Sequence, residues 1–341
     1  MLKRIWSSRR EAAGALIQLS GAGSAYEAAR RPEGAIILMY HSVARGNVDD
    51  HIDPANRIAP AAFERQMAFL SRHRRVLSLS ALVELMSGGE SPPARTVCIT
   101  FDDGYLDNLT VAAPVLARYH LPATLFLATG YVERSETQWA DALHSLWLRR
   151  TTNRLSLPEP GMPTTDLSSL TQAAAARKLL HRCLLEAQHD QRTRWLLEIE
   201  RQLKPEGIMP RVTMNWDEAR ALLKSYPLFE IGGHTRDHID LRTHTGDLAQ
   251  RQIDGCAADL RSELKLEPCH FSFPYGRWCE STRALVSASG WRSAVGAGLD
   301  LRIGRDSDRF AMPRVEAPRG MTALRFMTSG AFPGALAMLG L

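Results

Sequence analysis

Cysteine is scarce, and its pattern is uninformative as a scaffold. The five residues Cys98, Cys183, Cys256, Cys269 and Cys279 form no CxxC pair, and their number is odd. A disulfide framework does not suit a chain of 341 residues with this usage, and a cysteine zinc cluster is excluded. The usage fits a reducing compartment. Cys98, inside an apolar run, reads as a small buried hydrophobe. Long apolar runs are also missing: none reaches the roughly 18 residues of a membrane span. The apolar stretch Ala331–Leu341 is too short for one and reads as a packed helix, with membrane-surface contact as the other reading. There is no glycine-rich or proline-rich bias, which removes collagen-like and low-complexity classes. No internal repeat is visible.

Excess charge is small and local. The formal net charge is +5. Lys3, Arg4, Arg9, Arg10, Arg30 and Arg31 stand against only Glu11, Glu27 and Glu33, so most of the surplus precedes residue 35. The remainder is nearly balanced, and no basic run is interleaved with aromatics, so nucleic acid is not an expected partner. Residues 1–34 read as a basic, amphipathic surface helix with Leu2, Ile5, Trp6, Ala13, Leu16 and Ile17 near one face. A signal peptide competes, but Glu11 splits the basic part from the apolar part, and Gln18 and Ser20 dilute the latter. The Arg9-Arg10 pair is similar to a twin-arginine signal with a poor hydrophobic stretch. The expected location is cytoplasmic or peripheral to a membrane, with export through a weak N-terminal signal as the alternative.

What is present suffices for a full core: 45% of residues are hydrophobic and 23% charged. At about 100–200 residues per domain the length allows one large domain or two ordinary ones. Short strand-like runs alternate with helical segments. Ala35–Tyr40, Val76–Leu79, Thr96–Phe101, Ala123–Ala128, Phe229–Gly232 and Cys269–Phe273 read as strands. Ala61–His73, Ser80–Met86 with Ser80 as N-cap, Leu109–Tyr119, Asp247–Leu264 and Glu280–Ser289 read as helices. That order predicts a parallel α/β domain. From about Gln138 to Lys204 the rhythm breaks into a mostly helical block with a proline-rich interruption at Leu157–Pro163. It reads as an insertion in the domain spanning residues 35–341.

Three sites carry chemistry. Thr100-Phe101-Asp102-Asp103-Gly104 places two adjacent acids at the end of an apolar strand, where functional groups converge in α/β folds. Neighbouring carboxylates repel unless a cation or shared proton intervenes. A metal resolves this, with one acid ligating and the other free as a base; an Asp-Asp-Gly turn capping the next helix is the plainer reading. His234-Thr235-Arg236-Asp237-His238 follows a strand ending in Gly232-Gly233. If helical, it puts both histidines on one face, within reach of one cation. Asp103, His234 and His238 together make a two-histidine, one-aspartate set with an open position. Zn²⁺ suits such ligands, and Mn²⁺, Co²⁺ or Fe²⁺ are compatible. Phe271-Ser272-Phe273-Pro274-Tyr275-Gly276 ends a strand in a turn that presents backbone amides and an aromatic wall, or simply connects strand to helix.

In this order the three sites resemble the polysaccharide deacetylase family, also called NodB-homology or carbohydrate esterase 4. Leu38-Met39-Tyr40-His41, Asn215-Trp216-Asp217 and Ala311-Met312-Pro313-Arg314 add to the likeness, which spans about Ile36–Val315. The resemblance implies a distorted (β/α)7 barrel and metal-dependent hydrolysis of N-acetylated sugars in a polysaccharide or glycoconjugate. It makes Asp102 the general base, Asp103, His234 and His238 the metal ligands, and Pro274-Tyr275 part of the substrate groove, with the Tyr275 N–H an oxyanion donor. The chain departs from the common pattern in two places. Ser272 stands where the family usually has an arginine that orients the aspartate; Arg314 is the candidate replacement. No histidine follows His270, so the usual late proton donor is missing, and His41 at the end of the first strand is the candidate to enter the site. These departures resemble a branch acting on exopolysaccharides. Hydrolysis of a cyclic amide or ureide, and non-catalytic carbohydrate binding, are the competing functions.

Overall fold

The computed structural model describes residues 34–45, 51–159, 161–297 and 302–329. The basic N-terminal segment and the apolar stretch Ala331–Leu341 lie outside the described residues. Seven parallel strands form the frame: β1 (Ala35–Tyr40), β2 (Thr96–Phe101), β3 (Ala123–Leu127), β4 (Phe229–Gly233), β5 (His270–Ser272), β6 (Ser293–Ala297) and β7 (Met312–Glu316). Each pairs with the next in sequence, and β7 returns to β1, which closes the barrel. The two-residue strand Arg75–Val76 takes the lower part of the β2 edge whose upper part pairs with β3.

The helices are α1 (Pro60–His73), α2 (Leu79–Ser87), α3 (Ala113–Arg118), α4 (Thr129–Arg134), α5 (Trp139–Leu148), α6 (Leu170–Glu186), α7 (His189–Leu203), α8 (Trp216–Ser225), α9 (Gly246–Leu264), α10 (Glu280–Ala288) and α11 (Met321–Met327). Strand alternation divides the apolar side chains. Ile36, Leu38, Val97, Ile99 and Phe101 face the helices in the main core. Ala35, Ile37, Cys98, Phe126, Val295 and Met312 belong to a separate cluster with Leu79, Leu82, Val83 and Met86, so α2 packs on the barrel lumen at its lower end. On α1, Phe63, Met67 and Leu70 are buried at helical spacing. Each such side chain contributes about 1.5–3 kcal/mol on leaving water. Among the described residues no helix is long and apolar enough to cross a membrane.

Several sequence readings are refined. The N-cap of α2 is Ser78, whose hydroxyl accepts from Ala81 N–H; Ser80 points instead to His270. A π turn (Asn108–Ala112) precedes α3, because Pro114 lacks the N–H that a regular helix would use there. The proline-rich interruption at residues 157–163 belongs to an antiparallel hairpin, Arg154–Leu157 with Met162–Asp166. Strands β6 and β7 escape the sequence reading because Ser293 and Gly296, and then Pro313, Arg314 and Glu316, break their apolar runs. Residues 139–203 have a core of their own, including Trp139, Leu143, Leu155, Leu180, Ile199 and Leu203, and Tyr275 packs against it.

Candidate metal centre and its surroundings

All the sequence-predicted residues gather at the C-terminal ends of the strands, the face where barrels build their sites. Asp102 and Asp103 leave β2, His234 leaves β4, Pro274 and Tyr275 follow β5, and Arg314 lies in β7. The distortion of the barrel sits beside them. β4 and β5 share a single register pair, Phe271 with Gly233. A Cβ on Gly232 would lie 2.5 Å from the His270 carbonyl oxygen, and one on Gly233 would lie 2.4 Å from Trp291. Only glycine admits that approach.

Asp103, His234 and His238 are buried and offer ligand atoms within 4.8 Å of one another. His234 Nε2 is 3.6 Å and His238 Nε2 3.3 Å from Asp103 Oδ1. The histidines meet by a route other than a helical turn: residues 234–240 are irregular, and Thr235 (φ 60°) and His238 (φ 49°) adopt left-handed backbone. Asp103 (φ 75°) and Tyr275 (φ 59°) do the same. Such conformations in non-glycine residues cost of order 1–3 kcal/mol and gather at functional sites.

The donor set fits a divalent cation. His234 Nδ1 donates to the Ser272 carbonyl oxygen at 2.7 Å, which leaves the Nε2 lone pair facing Asp103. Asp103 Oδ1 is buried with no hydrogen-bond partner. Burial, then the charges of Asp102 and Asp141, push the Asp103 carboxyl well above the usual carboxylate range. A cation removes that penalty. Burial pushes both imidazoles below their ordinary value, which keeps them neutral and able to ligate.

Asp102 is held differently. Arg314 Nη1 and Nη2 donate to its two oxygens at 2.7 and 2.6 Å, and Nη2 also donates to Ser272 Oγ at 2.7 Å. Burial alone would raise the Asp102 carboxyl, but the Arg314 guanidinium holds it well below the usual range. It is therefore ionised, and 3.8 Å from His234 Nε2. Arg314 enters from β7 at the place the short Ser272 side chain leaves open.

His41 follows β1 and is half-buried. Burial lowers its imidazole against the pull of Asp102 and Glu316, and it also senses Arg314 and His234. Pro274 is buried and opens the turn Pro274–Gly276. The Tyr275 ring packs edge-on against His238 with centroids 4.4 Å apart.

Sequence reasoning missed a set of residues from α5 and α7. Trp139 Nε1 donates to Tyr275 Oη at 2.9 Å. Arg192, 1% exposed, donates to the Asp237 carbonyl oxygen at 3.1 Å. Asp141 accepts from Tyr105 Oη at 2.6 Å behind Asp103, and burial raises its carboxyl to about 7. One signal was available: Arg192 falls in register with the apolar stripe of Leu196, Ile199 and Leu203.

Comparison with known proteins adds to this geometry. The polysaccharide deacetylase family model matches residues 89–152 and 205–294. YxkH of Bacillus subtilis, assigned by name to the polysaccharide deacetylases, is 34% identical over 105 residues; the match covers 30% of this chain and 35% of that relative, about a third of its length. Among solved structures, the Streptococcus pyogenes deacetylase PplD in complex with acetate aligns with a TM-score of 0.52 at 16% identity, covering 84% of this chain and 93% of that one. A de-N-acetylase from Aggregatibacter actinomycetemcomitans aligns with a TM-score of 0.54 at 15% identity, covering 86% and 99%. At these identities the structures speak for the barrel alone. The sequence match speaks for more, because its first segment carries Asp102 and Asp103 and its second carries His234 and His238: over these residues this chain is similar to the polysaccharide deacetylase family.

Proposed function

We propose that the protein is a metal-dependent hydrolase that removes acetyl groups from N-acetylated sugars of a polysaccharide or glycoconjugate. The observation that carries this reading is the buried Asp103, His234 and His238 set beside an aspartate kept ionised by Arg314. A family of hydrolases and a solved neighbour named as a de-N-acetylase support it. A divalent cation held by Asp103, His234 and His238, most naturally Zn²⁺ for this ligand set, would supply the Lewis acidity that activates water and polarises an acetyl carbonyl. Asp102, ionised and fixed at both oxygens, takes the water's proton. The Tyr275 backbone N–H stabilises charge developing on the carbonyl oxygen. The leaving amine requires a proton: His41, neutral at rest, takes one up from Asp102 or solvent and passes it on, filling the role for which the chain has no late histidine. The Ser272 and Arg314 exchange and the use of His41 favour an exopolysaccharide as substrate.

The test is acetate release. Purified protein loaded with Zn²⁺ releases acetate from N-acetylhexosamine oligomers, and Asp103→Asn loses both bound metal and turnover. Hydrolysis of a cyclic amide with none of an acetylated sugar would assign the barrel to another C–N bond. Tight glycan binding without metal or turnover would make it a binding protein.

A further inference from the structure

The two histidines of the metal centre are held by different means. His234 is locked by its own hydrogen bond to the Ser272 carbonyl. His238 Nδ1 is buried with no hydrogen-bond partner. Metal-ligating histidines are ordinarily oriented through that second nitrogen. Here the ring is positioned by packing against Tyr275, and Tyr275 is itself held at its hydroxyl, which accepts from Trp139 Nε1 at 2.9 Å and donates to the His238 carbonyl oxygen at 3.2 Å. Trp139 is fully buried and lies under the Arg192 guanidinium, 5.6 Å from its ring centroid. Arg192 reaches past it to the Asp237 carbonyl oxygen at 3.1 Å and is anchored on the Ala187 carbonyl oxygen at 2.9 Å. The chain of contacts that starts in α5 and α7 thus closes on two consecutive residues of the histidine loop. Other supports reach the loop elsewhere. Thr129 and Gly130 N–H groups bond the carbonyls of Thr235 and Arg236, and Gln252 accepts from the N–H groups of Arg236 and Asp237.

We propose that Trp139 and Arg192 are positioning residues that fix the orientation of His238 and so set the affinity of the three-ligand centre for its cation. Residues 139–203, which the family model skips from 153 to 204, are then a working part of the site. This rests on the metal reading above.

The test is a Zn²⁺ titration of the metal-free protein against a chromophoric chelator. Trp139→Phe keeps an aromatic ring under Arg192 but removes the N–H together with part of the buried indole; Arg192→Met removes the bond to Asp237. Each weakens Zn²⁺ binding by about 10-fold or more, within the range of second-layer contacts to metal ligands. Their turnover falls at limiting Zn²⁺ and recovers at saturating Zn²⁺, which a general loss of structure would not do. Gln202→Ala, which cuts bonds to Ser156 inside the same segment, leaves the affinity unchanged. Tyr275→Phe reproduces the loss, and the Trp139→Phe/Tyr275→Phe double variant is no weaker than either single one, because both cut one relay. Tyr275→Phe keeps its ring against His238 and removes only the hydroxyl, so it stays informative if Arg192→Met does not fold. Wild-type affinity in Trp139→Phe and Tyr275→Phe, or fully additive losses in the double variant, would overturn the proposal. Absence of Zn²⁺ binding by the wild type would instead overturn the metal reading and this proposal with it.

Discussion

The two ends of the barrel each bury a histidine near a carboxylate, and by distance alone they look alike. At the upper end His234 Nε2 lies 3.6 Å from Asp103; at the lower end His270 Nε2 lies 3.8 Å from Glu230. Their surroundings are opposite. His270 has both ring nitrogens partnered, to Ser80 Oγ and Ser293 Oγ at 2.8 Å each. Glu230 accepts from Thr124 Oγ1 and Ser80 N–H. None of these residues has left-handed backbone. At the upper end Asp103 Oδ1, His238 Nδ1 and Thr235 Oγ1 are buried without partners, and four non-glycine residues are strained. A satisfied buried network specifies a fold; buried ligating atoms without partners that converge within one cluster have the makings of a binding site. The difference locates function better than the residue types do.

The largest effect expected at the upper end comes from Asp102→Asn. Loss of a general base costs about 10²–10⁴ in rate, while Zn²⁺ content, measured by metal analysis, stays at the wild-type level because Asp103 and both histidines remain. Full activity in this variant would remove Asp102 from the base role. Next is Arg314→Met. It strands the Asp102 carboxylate without its partner, and the loss of one member of a buried pair destabilises by about 3–5 kcal/mol. Urea denaturation reads this directly, and an unchanged midpoint would mean the pair is not the fastening it resembles.

The lower end should answer to pH rather than to metal. Burial, opposed by Glu230 and helped by Arg292, lowers the His270 imidazole from 6.5 to about 4. The unfolded chain takes up a proton at this histidine as pH falls below about 6.5, while the folded chain resists until about 4. Stability is therefore full above this window and drains away as pH drops through it, by about 3 kcal/mol at the lower edge. His270→Asn flattens that slope in urea titrations across pH 4–7. A slope unchanged by the substitution would show that His270 is not the group responsible.

The two ends also differ in how legible they are from sequence. Motif spacing exposes the upper end because the chemistry demands particular atoms at strand termini: adjacent acids after β2, and paired histidines after the crowded glycines of β4. It misjudges the path between His234 and His238, since a helical turn and a strained loop both bring residues four apart together. The closure of the barrel is harder to see. β7 carries Pro313, Arg314 and Glu316, and Arg314 bonds Asp102, so polar residues break the apolar signature that would reveal a strand. The lower end is nearly silent, as Ser80, Thr124, His270 and Ser293 are ordinary residues whose value lies in a mutual geometry assembled from four separate elements. Trp139 is silent for the same reason, looking like part of a helix core, while Arg192 shows itself only as a charge in register with an apolar stripe.

The smallest and sharpest test sets one hydroxyl against another. Ser272 Oγ accepts from Arg314 at the upper end, at 2.7 Å, and Ser80 Oγ bonds His270 at the lower end, at 2.8 Å. Each alanine substitution removes one buried hydrogen bond, which costs about 1 kcal/mol, so thermal denaturation should shift by similar amounts in the two variants. Turnover should separate them. Ser272→Ala frees one side of the guanidinium that orients Asp102 and lowers kcat a few-fold, whereas Ser80→Ala leaves kcat at the wild-type value because nothing at the lower end touches the reacting groups. Equal losses of kcat in both variants would mean that the barrel transmits disorder along its axis, and the division between a structural end and a chemical end would fail.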